Sequence, residues 1–250
     1  MLTEERFARI ISAVDTKGSV TVAELMKLLG ASESTVRRDL DELDSEGRIS
    51  RVRGGAISKT KGLTTRDDEV SKRKGLKRKE KDTIGSYAAS LIEPGDFVYI
   101  DAGTTTEQML GYITEHDATY VTNAITHAAQ LANEGFQVYI LGGEFKRTTE
   151  AIVGEEAINS LKKYNFTKGF FGANGITKDE GFTTPEFKEA MVKRQAFLSC
   201  KDRYVLADDS KFGKISAIKF ADYDTATIIT DRVTKRGYKG MKNIKEVTLR

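Results

Sequence analysis

The alternation of short apolar runs with helical segments after residue 97 limits the possible folds more than any other feature of the sequence. Strand-like runs occupy 97–101, 119–123, 137–141, 168–172, 203–207 and 227–230. Helical periodicity occupies 81–91, 106–113, 124–133, 157–164 and 186–199. Strands that alternate with helices form mostly parallel sheets covered on both faces. The pattern therefore predicts an α/β domain for this part of the chain.

Polar or glycine-rich turns follow most of the predicted strands. In open parallel sheets, ligands bind outside the carboxyl ends of the strands. The turns supply these candidate binding residues: Asp101, Gly103, Thr104, Thr105, Thr106, Thr122, Asn123, Gly142, Gly143, Gly172, Asn174, Asp208 and Lys211. Each of them alone is equally typical of an ordinary turn or surface, but as a set they predict a site for a small phosphorylated polyol.

The turn after the first predicted strand, Asp101-Ala-Gly-Thr-Thr-Thr106, has the composition of a phosphate-binding loop. Gly103 lets the backbone approach an anion, the hydroxyls can donate, and the next helix begins with free N–H groups. The turn has neither the Walker spacing nor the GxGxxG fingerprint, and an ordinary strand-to-helix turn is the alternative. Lys211 is a second cation for the phosphate, while Asp101 or Asp208 can accept from sugar hydroxyls.

The N-terminal 57 residues show a different pattern, three short helices and a hairpin. Thr21 and Glu24 have capping-box spacing, Gly30 is a helix-ending residue, and Ser32 can cap the next helix. That helix has an apolar stripe and a separate face of serine and arginine, which suits the DNA major groove. A solvated amphipathic helix is the alternative for this segment alone. We expect a winged helix-turn-helix that contacts DNA through Ser32, Ser34, Thr35, Arg37, Arg38, Arg51 and Arg53.

The charges are unevenly distributed along the chain. Residues 1–57 carry 9 basic and 10 acidic side chains, whereas residues 58–81 carry 10 basic and 4 acidic ones. The first segment therefore cannot hold DNA by bulk attraction. The second predicts a solvated basic linker, or one whose lysines and arginines also touch phosphate.

Composition excludes several classes of function. The sequence has no apolar run long enough to span a membrane and no secretory signal at its start, so we expect a cytoplasmic protein without membrane association. One cysteine and two histidines leave almost no ligands for a zinc site, and neither histidine lies near a nucleophile elbow. We therefore expect no metal and no cofactor.

The chain resembles the DeoR family of transcriptional regulators over nearly its whole length. The matching residues are Arg6, Ile10, Val14, 32–40, Gly47-Arg48 and Arg53-Gly54-Gly55-Ala56, followed by Asp101-Ala-Gly-Thr-Thr105, Thr122-Asn123, Gly142-Gly143 and Ser210-Lys211-Phe212. The resemblance implies an effector domain that is similar in fold to ribose-5-phosphate isomerases and binds a sugar phosphate at this edge. It is greatest to fructose operon repressors, which implies fructose 1-phosphate, with lactose-pathway repressors and tagatose 6-phosphate close behind. Asp209 departs from the family pattern, which has serine there, and adds an acid near Lys211.

Three regions are expected: a winged helix-turn-helix at 1–57, a basic linker at 58–80, and a sugar-phosphate-sensing and oligomerisation domain at 81–250. The leading hypothesis is a repressor of a sugar-utilisation operon, not an enzyme. It would bind operator DNA as a dimer or tetramer and be relieved or modulated by a phosphorylated sugar. The alternative is a sugar-phosphate isomerase with a DNA-binding appendage, in which Glu186, at a predicted helix start, would be the base.

Overall fold

The computed structural model describes residues 2–17, 19–52, 54–57, 73 and 75–248. The N-terminal unit has helices α1 (Thr3–Lys17), α2 (Val22–Leu29) and α3 (Glu33–Ser45). Its strands are β1 (Ser19–Thr21), β2 (Ser50–Val52) and β3 (Gly55–Ile57), which form an antiparallel sheet in the order β1-β3-β2. This is the predicted helix-turn-helix, with β2 and β3 forming the wing.

Local sequence signals explain where the helices of this unit begin and end. Thr21 and Glu24 form a complete capping box at the start of α2, and Gly30 ends it in the left-handed conformation, as predicted. The Ser32 side chain caps α3 by accepting from the Thr35 N–H at 3.3 Å. The apolar stripe of α3 is fully buried against α1 and α2 through Val36, Leu40 and Leu43.

The larger unit is an α/β domain built on one parallel sheet. The sheet contains β4 (Phe97–Ile100), β5 (Thr119–Thr122), β6 (Gln137–Ile140), β9 (Phe166–Gly172), β12 (Cys200–Leu206), β14 (Thr227–Thr230) and β15 (Ile244–Glu246). The seven strands run in the order β15-β14-β12-β9-β4-β5-β6, and every neighbouring pair is parallel. The predicted parallel α/β architecture is confirmed.

Helices cover both faces of this sheet. They are α4 (Arg78–Ala89), α5 (Thr104–Leu110), α6 (Ile125–Asn133), α7 (Glu155–Leu161) and α8 (Phe187–Leu198). One face packs on α4, α5 and α6 through Ile84, Met109 and Leu131. The other packs on α7 and α8 around Phe171 and Phe197. Two separate apolar cores therefore hold the sheet between them.

Five short strands and β15 were not predicted from the sequence. They are β7 (Glu144–Lys146), β8 (Ala151–Val153), β10 (Gly175–Thr177), β11 (Gly181–Thr184) and β13 (Ile218–Ala221). β7 pairs with β8, and β11 lies between β10 and β13 in a small antiparallel sheet. Runs of three or four residues are too short for a period of two to stand out, so pairing with another strand is what fixes them, and for β7–β8 and β10–β11 that strand is the next one in the chain.

The two units touch at the C-terminal end of α3. The backbone at Gly237 approaches the Ser45 carbonyl so closely that a Cβ built there would lie 2.3 Å from the oxygen. Lys235 Nζ lies 3.5 Å from Asp44 Oδ1. Part of the predicted linker, 58–72 and 74, lies outside the described residues.

Candidate functional site

A cavity of about 360 Å³ lies at the carboxyl ends of three adjacent central strands, β4, β9 and β12. This is the edge at which open parallel sheets bind ligands. The lining residues are Arg73, Leu76, Lys77, Lys81, Ala102, Gly103, Thr104, Thr105, Gly172, Ala173, Asn174, Thr184, Glu189, Lys193, Asp208, Ser210, Lys211 and Lys214. The described lining holds more basic than acidic side chains, which favours an anionic ligand.

Seven of the residues predicted from the sequence line this cavity. They are Gly103, Thr104, Thr105, Gly172, Asn174, Asp208 and Lys211. The strand order explains why: the turns that carry them follow β4, β9 and β12, which are neighbours in the sheet although far apart in sequence. The prediction that strand-end turns converge on one place is therefore met for these three turns.

Other predicted residues support the cavity from beneath rather than lining it. The Thr106 hydroxyl donates to the Asp101 carbonyl at 2.6 Å, and the Thr122 hydroxyl accepts from the Ala124 N–H. Asn123 Oδ1 accepts from the Tyr99 hydroxyl and from the Ala102 N–H, at 3.0 and 2.9 Å. Thr106 and Asn123 hold the turn after β4 in shape, and Thr122 holds the turn after β5. All three side chains are buried and do not line the cavity.

Gly142, Gly143 and Glu186 also do not line the cavity. The two glycines lead into β7, where a Cβ on Gly143 would lie 2.7 Å from the Val153 carbonyl oxygen. Glu186 precedes α8 and faces Lys146 at 3.4 Å. The turn after β6 is displaced because β6 is an edge strand, three places away from β9.

Four lysines of the lining were not among the predicted binding residues: Lys77, Lys81, Lys193 and Lys214. Lys81 lies on the buried stripe of α4 with Ile84 and Ala88, and Lys193 lies on the buried face of α8. A lysine at an apolar position of a helix is a signal that the sequence does contain. A lysine is seldom fully buried without a partner, so such a position indicates an internal site.

Burial, and after it the ammonium of Lys211, lowers the pKa of Lys81 to about 8. Its Nζ donates to the Arg73 carbonyl at 2.5 Å. Burial and Lys211 also lower the pKa of Lys214. Lys211 therefore disfavours the charged form of both Lys81 and Lys214, and a bound anion would offset that effect.

The other side of the cavity carries a buried ion pair and a carboxylate. Lys193 Nζ donates to Asp101 Oδ2, and the Gly172 N–H donates to the same oxygen at 3.1 Å. Burial raises the pKa of the Asp101 carboxyl, and the Lys193 ammonium opposes that rise. Burial acts to raise the pKa of Glu189 as well, but hydrogen bonds from Thr149 and Lys146 outweigh it, so that pKa is lowered. These groups can accept from and donate to hydroxyls.

Asp209, which departs from the family pattern, does not point its charge at Lys211. Its carboxylate accepts from Thr234, from the N–H at 2.9 Å and from the hydroxyl at 2.7 Å. The extra acid therefore ties the turn after β12 to the segment after β14 and leaves Lys211 to the cavity.

The residues predicted to contact DNA from α3 differ in whether their side chains are already bonded within the protein. Ser34 and Arg38 are exposed, and Arg37 is exposed but paired with Glu33 one turn earlier at 2.6 Å. The Ser32 hydroxyl lies 2.9 Å from the Thr35 hydroxyl, so these two side chains serve first as the helix cap. Ser32 is nevertheless exposed, and Thr35 is half-buried.

Of the two wing arginines, Arg51 is paired within the DNA-binding unit. The Arg51 side chain pairs with Asp41 of α3, and the Arg51 N–H donates to Asp44 Oδ1 at 3.0 Å. Arg53 lies outside the described residues. The sequence analysis missed the bidentate pair of Arg6 with Asp39, at 2.7 and 2.9 Å, which locks α1 to α3 beneath the recognition face.

Comparison with known families agrees with both units. A model of the DeoR-like helix-turn-helix domain matches residues 6–62, and one of the DeoR C terminal sensor domain matches residues 76–232. The chain belongs to the DeoR family. It is 43% identical, over 92% of its length and 91% of the relative's, to the uncharacterized HTH-type transcriptional regulator FruR of Bacillus subtilis.

Two further relatives are repressors by name. The chain is 34% identical to the HTH-type transcriptional repressor GlcR of Bacillus subtilis, over 95% of this chain and 92% of the relative. It is 34% identical to the lactose phosphotransferase system repressor of Staphylococcus aureus, over 92% of each. The predicted membership of the DeoR family, with its helix-turn-helix, is confirmed.

Solved structures are similar to part of the chain only. Ribose 5-phosphate isomerase A from Methanocaldococcus jannaschii covers 53% of each chain, with a TM-score of 0.38 and 12% identity. The probable sor operon regulator from Shigella flexneri covers 58% of this chain and 80% of its own, with a TM-score of 0.37 and 10% identity.

Within the described part of the chain, no helix combines the length and apolarity needed to cross a membrane. The same residues contain no group of three or more His, Cys, Asp or Glu side chains placed to hold a metal ion.

Proposed function

We propose that this protein is a transcriptional repressor of a sugar-utilisation operon and that a phosphorylated sugar in the cavity relieves or modulates its binding to operator DNA. The observation that carries the proposal is the two-sided cavity. Lys81, Lys211 and Lys214 lie on one side, and Glu189 and Lys193, whose ammonium is paired with the buried Asp101, offer polar groups on the other. In this arrangement the phosphate lies against the first set and the hydroxyls against the second.

The best candidate for the effector is fructose 1-phosphate. Support comes from the resemblance to fructose operon repressors and from the relative named FruR. A thermal-shift panel should compare fructose 1-phosphate, fructose 6-phosphate and tagatose 6-phosphate with fructose and with inorganic phosphate. We expect a phosphorylated sugar to raise the unfolding temperature more than fructose or phosphate alone, because only it engages both sides. Equal shifts with fructose and fructose 1-phosphate would contradict the phosphate assignment.

DNA reading is assigned to the exposed face of α3. A gel shift at fixed salt should compare Arg37→Ala with Arg9→Ala. Arg9 is a matched control because it lies on α1 and pairs with Glu5 in the same i, i+4 geometry. We expect Arg37→Ala to weaken operator binding by about 1–3 kcal/mol, with little change for Arg9→Ala. The same loss in both variants would show that only overall charge matters.

Isomerase activity is the alternative function, and the charges of the cavity disfavour it. An isomerase base must take a proton from carbon, so a lowered carboxyl pKa weakens it. Glu189 has such a lowered pKa, and Glu186, the base suggested by the sequence, does not line the cavity. Incubation with ribose 5-phosphate and hexose phosphates should yield no interconversion. Interconversion that is lost in Glu189→Gln would establish the enzyme.

A further inference from the structure

The turn that borders the cavity is tied to a second segment that leads away from it. Asp208, Ser210 and Lys211 line the cavity, and Asp209 lies between them. The Asp209 N–H donates to Asp231 Oδ1 at 3.0 Å, and its carboxylate accepts twice from Thr234. Three hydrogen bonds therefore fix the segment after β14 to the turn that would hold the ligand.

The same segment reaches the DNA-binding unit at its other end. Lys235 Nζ lies 3.5 Å from Asp44 Oδ1, with both side chains about four-fifths buried, and Gly237 packs against the Ser45 carbonyl. Asp44 Oδ1 is also the acceptor of the Arg51 N–H at 3.0 Å. One carboxylate near the end of the recognition helix thus contacts both the wing and the sensor domain.

A second rigid contact runs parallel to the first. Tyr238 is buried, and its ring meets that of Phe212 edge to face with centroids 5.1 Å apart. Phe212 follows Lys211 directly and is itself fully buried. Because packed interiors transmit strain, a shift of the Lys211 backbone would displace Phe212 and, through the ring contact, Tyr238.

We propose that residues 231–238, hereafter the coupling segment, carry the effect of a ligand in the cavity to the DNA-binding unit, with Asp209 as the input contact and Asp44 as the output contact. The nature of the ligand rests on the proposed function, whereas the contacts do not. A ligand changes operator affinity only if it binds the two arrangements of this junction unequally, and operator DNA must then change ligand affinity by the same factor.

The first test needs no ligand. The Arg51 amide is bonded to Asp44, so its hydrogen exchange reports on the output end in the full-length protein. We expect Thr234→Val and Lys235→Gln to speed this exchange several-fold, while Thr234→Ser, which keeps the hydroxyl, restores the wild-type rate. Lys239→Gln is the control, since Lys239 is exposed just beyond the segment. Wild-type exchange at Arg51 in both Thr234→Val and Lys235→Gln overturns the proposal.

The second test measures coupling directly. Operator affinity is determined with and without fructose 1-phosphate, and the ratio is compared between Lys235→Gln and Lys239→Gln. Ligand-linked ratios are of the order of 5–150-fold, and we expect the ratio to fall towards one in Lys235→Gln while the affinity of the DNA-free protein for the sugar stays near that of wild type. An undiminished ratio overturns the proposal. If no sugar phosphate binds the wild type, the proposed function fails, and the exchange experiment alone decides the role of the coupling segment.

Discussion

Lys81 is a buried lysine in the lining of the cavity, with a pKa well below that of a lysine on the surface. Its side chain rises from the buried stripe of α4, and its pKa is lowered to about 8 because burial and Lys211 both disfavour its charge. The ordinary lysine pKa is about 10.4, so its protonation changes within the range where proteins are stable. A bound dianion would reverse the shift by pairing with the ammonium.

This predicts that ligand affinity falls as the pH rises through 8. Lys81 is largely protonated at pH 7, but at pH 9 a group with a pKa of about 8 is only about one-tenth charged, so affinity for a phosphorylated sugar should fall about tenfold. Calorimetry in two buffers of different ionisation heat would also record proton uptake on binding at pH 8. Lys81→Gln should bind more weakly at pH 7 and lose most of this pH dependence. A dependence that persists unchanged in Lys81→Gln would place the titrating group elsewhere.

Sequence patterns located the turns at this scale but not the roles of single residues. Gly103 and Lys211 were found because strand-end turns converge. Asn123 was placed in the site on the same grounds, yet it bonds to Tyr99 and Ala102 beneath the cavity. A turn pattern states which residues are near a sheet edge, whereas the direction of each side chain depends on partners distant in sequence.

The packing of α4 on α5 decides where Lys81 stands. Gly85, one turn after Lys81, lies so close to α5 that a Cβ would be 2.8 Å from the Met109 nitrogen. This contact is with backbone, which cannot rotate aside. The two helices can approach only because residue 85 has no side chain, and that approach brings Lys81 over the turn after β4.

Gly85→Ala should therefore destabilise the protein and weaken ligand binding together. Forcing a methyl group into a packed interface costs typically about 1–3 kcal/mol, and the displaced α4 carries Lys81 away from the cavity. Gly111→Ala is the matched control, because a Cβ at Gly111 meets nothing within 4 Å. Chemical denaturation and calorimetry measure the two effects. If Gly85→Ala changed neither the stability nor the ligand affinity, the close approach of α4 to α5 would not be needed for either.

The capping box at α2 gives a test of the DNA-binding unit by itself. Thr21→Ala should lower the free energy of unfolding by about 1 kcal/mol, the usual value for a lost N-cap. The control Ser12→Ala, at an exposed position of α1, should change it by less than about 0.5 kcal/mol.

The loss in Thr21→Ala should depend on pH with a defined sign. Bonds from Thr21 to Glu24 lower the pKa of Glu24 to about 2 from its ordinary 4.5. A lowered carboxyl pKa contributes stability above the unfolded pKa and loses it as pH falls through the folded one. The gap between variant and wild type should therefore narrow between about pH 5 and about pH 2. A gap that widens on acidification would contradict the capping account.

Elements differ in how far the sequence determines them. α2 was predictable to its ends because Thr21, Glu24 and Gly30 act within one helix. Six strands of the parallel sheet were predictable because they are apolar runs that alternate with helical segments, although the edge strand β6 is largely exposed. The other parallel edge strand, β15, and the strands β7, β8, β10, β11 and β13 were not, since each is short, lies outside that alternation and is held in place by pairing.

At the scale of the whole molecule, the charge balance of the N-terminal unit limits how strongly one copy can bind DNA. The residues up to 57 carry 9 basic and 10 acidic side chains, so the helix-turn-helix has no surplus charge with which to hold DNA. Asp39 and Asp44 are taken up by Arg6 and Lys235, and Arg37 and Arg51 are paired with acids on α3. We propose that affinity comes from a few placed contacts and from joining two copies, which is how helix-turn-helix proteins read paired half-sites.

Operator binding should accordingly depend on the phase of two half-sites. Once footprinting has located them, inserting about 5 base pairs between them turns one half-site to the opposite side of the duplex, whereas about 10 restores the face. We expect the first insertion to lower affinity at least tenfold, on the order of one lost half-site, and the second to recover part of it. Sedimentation of the free protein should show an oligomer at the same concentrations. Equal affinity at every spacing would mean that single copies bind independently. In that case α3 and the wing alone would not account for the affinity.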